Sequence, residues 1–103
     1  MSDELDETDE WWVNEWTIEK TTHPRKRLSF SHTNDTLNGI RLCGEGFQGM
    51  GEPMPKVEVN LPTYGPWSMV LNSDREDGTC SAVPAPLARE IWAELIKSGW
   101  VRV

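Results

Sequence analysis

The chain has 103 residues, 37% of them apolar, with six tryptophans and a formal net charge of −7. A chain of this length can bury one core without a metal or a disulfide framework. No run approaches the roughly 18 apolar residues of a membrane span, and the acidic N-terminus lacks the apolar stretch of a secretory signal, so a cytoplasmic protein without membrane contact is expected.

The charge is unevenly placed. Residues 1–10 hold Asp3, Glu4, Asp6, Glu7, Asp9 and Glu10 and no base. From residue 11 onward, 11 acids face 10 bases. The first ten residues therefore read as a disordered acidic tail, and 11–103 as a single domain. A whole surface imitating nucleic acid loses support, while a short acidic lure for a basic groove does not.

Residues 11–22 are dominated by Trp, Val, Thr and Ile, which predicts a strand. On it Trp12, Trp16 and Ile18 share the core face, and Trp11 points outward beside the tail. His23 to Arg27 predicts a turn with Pro24 near its start. Leu28 to His32 alternates and returns as the hairpin partner. Asn34-Asp35 and Asn38-Gly39 mark further turns, and Ile40 to Cys43 is a short strand.

Gly44 to Pro55 has four glycines and two prolines in twelve residues, the composition of a loop. Lys56 to Leu61 alternates as a strand and Trp67 to Leu71 follows as another. Ser73 to Gly78 turns the chain so that Thr79 to Val83 pairs back. Pro86 then opens a helix. Leu87, Ile91 and Leu95 form one apolar stripe, with Ala88, Trp92 and Ile96 beside it. Gly99 supplies a left-handed cap onto which Trp100 folds. The fold expected is α+β: an antiparallel sheet of four to five strands with one C-terminal amphipathic helix on a face.

Several apparent motifs have plainer readings. Gly44-Glu45-Gly46-Phe47-Gln48-Gly49 fits GxGxxG, but a dinucleotide site needs a helix to start at once. Gly51, Pro53 and Pro55 forbid that, so no cofactor is expected. His23, His32, Cys43 and Cys80 match no zinc spacing, and no metal is expected. The two cysteines are expected to be buried thiols in a reducing cytosol. Asn72 to Asp77 resembles a calcium loop in composition, but Gly78 falls one place late. Asn34-Asp35-Thr36 fits the glycosylation sequon, read as chance without a signal peptide. No nucleophile elbow and no His–carboxylate pairing is evident, so no catalytic residue is expected and the chain is read as not an enzyme.

Binding remains. Tryptophan anchors interfaces when it is exposed, which singles out Trp11, and Trp67 between Pro66 and Ser68. Phe47 and Met50 on the Gly/Pro loop are adaptable apolar contacts. With Asp6, Glu7, Asp9 and Glu10 of the tail they form the expected partner site. The function expected is a small protein-binding factor, of the sort phages use as inhibitors or accessory factors against host proteins, acting on a partner with a basic surface. The alternatives are a self-associating structural subunit of a larger assembly, or a nucleic-acid module. The latter would use the Arg25-Lys26-Arg27 turn and nearby tryptophans. The plainer reading of that turn is a solvated cluster paired with Glu19 or the tail.

Overall fold

The computed structural model describes residues 16–33, 39–72 and 79–103. The acidic tail, Trp11, Trp12 and the turns at 34–38 and 73–78 lie outside the described residues. Among the described residues seven strands and one helix follow in order: β1 (Trp16–Lys20), β2 (Lys26–Thr33), β3 (Gly39–Gly46), β4 (Lys56–Leu61), β5 (Gly65–Val70), β6 (Thr79–Pro84), α1 (Ala85–Lys97) and β7 (Val101–Arg102). The α+β expectation holds: β6-β3-β2-β1-β7 form an antiparallel five-stranded sheet and β4-β5 a separate hairpin.

Strand alternation decides what the sheet buries. Ile18 pairs with Leu28, Trp16 with Phe30, Phe30 with Leu42 and Ile40 with Val83. These residues share one face, because side chains two apart point the same way. That face carries α1 and the hairpin. Trp92 of α1 is 1% exposed and meets Phe30 and Trp16 edge to face, with ring centroids 5.3 Å and 5.9 Å apart. Val57 and Leu61 of β4 and Met69 of β5 complete the core from the hairpin.

The helix ends as its sequence predicts. Gly99 has φ of 102°, a conformation that costs glycine little. The Gly99 N–H donates to Ile96 O and the Trp100 N–H to Leu95 O, both at 3.1 Å. This is a Schellman motif, and buried Trp100 and Leu95 provide its apolar contact. Of the expected stripe, Ile91, Trp92, Leu95 and Ala88 are buried, but Ile96 is exposed.

Three expectations need correction. The strand before the Gly/Pro loop does not stop at Cys43: β3 runs on to Gly46, so Gly44 and Gly46 are strand residues, not loop. They lie where the chain at Pro55 and Leu71 crosses the sheet. A Cβ at Gly44 would collide with the Leu71 and Leu28 side chains, and one at Gly46 would stand 2.9 Å from the Pro55 ring. Second, Thr79–Pro84 pairs with β3 and not with the strand just before it. Third, that pairing sets Cys43 opposite Cys80, and the two form a disulfide instead of buried thiols.

Candidate functional site

Two loops meet at one end of the sheet. One is the β1–β2 turn, Thr21 to Arg25, which contains a cis His23–Pro24 bond. The other is Phe47 to Pro55, between β3 and β4. The register explains the meeting: Lys26 pairs with Gly46 at the end of the β2–β3 ladder, so both loops leave the sheet side by side. The Phe47 N–H donates to Arg25 O at 3.1 Å, extending the ladder by one bond.

Side chains fasten the loops further. The Arg25 guanidinium lies 5.8 Å from the centre of the Phe47 ring, within cation–π range. His23 Nε2 is 3.0 Å from Glu52 Oε2. Within the second loop, the Glu52 N–H donates to Gly49 O at 3.1 Å and Gln48 Nε2 donates to Glu52 O at 2.7 Å. Gly51, with φ of 80°, turns this loop. The result is a tip whose two halves are tied together, carrying a half-exposed Phe47 and a wholly exposed Met50.

The basic cluster behind the tip is largely committed. Arg25 Nε and Arg27 Nη2 both donate to Glu19 Oε2 at 3.1 Å. Arg27 also approaches Glu45 at 3.7 Å. The Glu19 side chain is 12% exposed, and these donors, Arg25 first, hold its carboxyl below the usual carboxylate range. The plainer sequence reading, a turn paired with Glu19, is what the structure shows.

The expected site residues separate into three groups. Phe47 and Met50 lie on the same loop of the tip, three positions apart. Trp67 does not join them. It faces Val59 in the β4–β5 ladder, is half-buried and packs against the core, so it is not the exposed anchor expected. Its strand alternation explains this: Trp67 shares a hairpin face with buried Met69. A shallow depression of about 370 Å³ lies there, lined by Glu58, Val59, Asn60, Pro66, Trp67 and Ser68. The Lys56 amine holds Glu58 at 2.7 Å at its margin. Asp6, Glu7, Asp9, Glu10 and Trp11 lie outside the described residues.

Sequence reasoning missed the fastening partners of the tip. His23 and Glu52 are 29 positions apart, and no local pattern links them. A turn at Pro24 and a loop ending at Pro55 are legible in the sequence, but the cis bond is not, and the adjacency of the two follows only from the β2–β3 register. Among the described residues no cluster of His, Cys, Asp or Glu could hold a metal ion, and no helix is long and apolar enough to cross a membrane. No family model, no curated protein and no solved structure matches the chain.

Proposed function

We propose that the chain is a non-catalytic protein-binding factor that docks through the tip made by the β1–β2 turn and the Phe47–Pro55 loop. The observation carrying this reading is Met50, wholly exposed, three positions after half-exposed Phe47, on loops held by a backbone bond and the His23–Glu52 contact. A lone exposed apolar side chain needs no explanation. Two large ones on a fastened tip are different: the loops' ordering is already made, so less entropy is lost when a partner covers them. Met suits such a surface because its flexible thioether adapts to irregular partners.

The acidic tail supplies the second part of the proposal. Its six carboxylates would steer a basic partner toward the domain. Inhibition of a host protein is one form this function could take. Phosphate binding at Arg25–Arg27 would have to displace Glu19 from two guanidinium groups, which makes a nucleic-acid role the weaker reading.

The test is affinity capture from the native host with three baits: the full chain, Phe47→Ser/Met50→Ser, and a deletion of residues 1–10. The double variant should lose the specific partner through faster dissociation while its melting temperature holds. The deletion should slow association, and the difference should shrink as salt rises, because exposed charges are screened within about 8 Å at physiological ionic strength. A captured partner indifferent to both changes would defeat the proposal.

A further inference from the structure

The five-stranded sheet has a second face. Its residues alternate with the core set: Thr17 and Glu19 on β1, Arg27, Ser29 and Ser31 on β2, Arg41, Cys43 and Glu45 on β3, and Cys80 and Ala82 on β6. Both helix and hairpin lie on the other face, and none of these side chains is buried. The middle of the face is built from small groups. Thr17, Ser29, Cys43 and Cys80 form one row across four strands, joined by the Thr17–Ser29 hydroxyl contact at 3.4 Å and the disulfide.

On one side of that row Glu19 and Glu45 flank Arg27, which lies 3.7 Å from Glu45, leaving a net charge of −1, and on the other side stands Arg41. On β3, Arg41 stands two residues before Cys43 and Glu45 two residues after it, on the same face. A two-fold axis lying along the small row would reverse the strand direction and bring each Arg41 over the Glu45 of another copy. The arrangement is complementary to itself. Small side chains in the row would let the sheets approach at or below the usual spacing of about 10 Å, within reach of an Arg–Glu pair at the rim.

We propose that this face is an interface between two copies of the chain, packed sheet on sheet about an axis along the Thr17–Cys80 row and keyed by two Arg41–Glu45 pairs. Five strands about 4.8 Å apart and roughly six residues at about 3.3 Å give a face of roughly 480 Å². Two copies would bury roughly 960 Å², just under the roughly 1,000 Å² of a specific stable interface. The dimer is therefore weak and reversible. The inference stands independently of the proposed partner docking.

Charge exchange tests it with the full chain by sedimentation velocity over a concentration series. Wild type should shift from monomer toward dimer as concentration rises. Arg41→Glu should weaken association roughly tenfold or more by setting Glu against Glu, and Glu45→Arg should do the same with Arg against Arg. Arg41→Glu/Glu45→Arg should restore it. An equimolar mixture of the two single variants should also associate, since every facing pair is then opposite in sign. Failure of both rescues, or a wild type monomeric throughout, overturns the proposal. Amide shifts of Ser29 and Ser31 in wild type provide a check that needs no variant: they should move with concentration. If they are constant with concentration and move only on deletion of residues 1–10, the acidic segment of the same chain occupies the face, and the dimer is refuted.

Discussion

Substituting Gly46 by alanine separates a packing glycine from a loop glycine. The added Cβ would stand 2.9 Å from both Cβ and Cγ of Pro55 and 3.1 Å from Leu71 Cβ. None of these atoms can swing aside. Pro55 is a buried ring, Leu71 is fully buried, and the Leu71 N–H donates to Pro55 O at 2.8 Å. The backbone of β3 or of the crossing segment must shift instead. Overpacking of this kind costs about 1–3 kcal/mol. Removing glycine's freedom from the unfolded chain returns about 0.4–1 kcal/mol. A net loss of about 1–2 kcal/mol is expected, a fall of roughly 4–16 °C in Tm for a domain of this size. Gly44→Ala meets the methyl ends of Leu71 and Leu28, both fully buried, with the Met69 sulfur behind them, and should also lose stability. Gly49→Ala faces the His23 ring and the Glu52 carboxylate at 3.2–3.4 Å, groups at the surface, and should stay within about 0.5 kcal/mol. Urea unfolding followed by circular dichroism gives all three midpoints. A Gly46→Ala protein as stable as wild type would mean that Pro55 and Leu71 do not lie over β3.

Other outcomes follow from the same packing. Trp92→Ala should cost about 3–5 kcal/mol, since the ring is 1% exposed and meets both Phe30 and Trp16; a loss under about 1 kcal/mol, read by urea midpoint, would displace it from the core. Arg25 first, and then Arg27, hold the Glu19 carboxyl below the usual carboxylate range, so its contribution is present above the unfolded-state value and is lost as pH falls through the folded-state value. Glu19→Gln should therefore lower stability near neutrality and flatten the acid arm of the stability–pH curve, followed by thermal melts across that range. Opening the Cys43–Cys80 bridge frees a loop of 37 residues, worth about 4 kcal/mol in the chain-entropy model. Reduction should lower the melting temperature accordingly. In protein isolated with thiols trapped, the pair should resist labelling; labelled cysteines would support the cytosolic setting expected from the sequence.

How much of this was legible depends on the range of the interaction. The helix, its glycine cap and the alternation of β4 could be read from side chains a few residues apart. The partner of β6 could not. Sequence proximity favours pairing with β5, the strand just before it, yet β6 lies against β3, with Cys43 opposite Cys80. Nothing local encodes that choice, and the expectation of free thiols rests instead on a cytosolic setting. Gly44 and Gly46 misled in an instructive way. Glycine spaced by two is as much a sign of a strand crossed closely by another segment as of a turn, and only the position of Pro55 and Leu71 distinguishes the two. Trp67 erred through its neighbours: Pro66 and Ser68 suggested exposure, but the strand period put those two outward and the indole inward.

The charge pattern links the tail to the tip more tightly than the net value suggests. The described residues hold nine Lys and Arg against six Glu, and no Asp. The chain as a whole carries −7, so its negative charge lies in the remaining stretches, above all in residues 1–10. A partner with a basic surface would thus meet mild repulsion from the described fold and attraction from the first ten residues. Repulsion at the tip itself is reduced, because Arg25 is paired with Glu19. What the tip presents at contact range is then Phe47 and Met50. In the proposed reading, steering and anchoring fall to different segments of one chain: carboxylates act at range and are weakened by salt, while the apolar tip acts only in contact and is not.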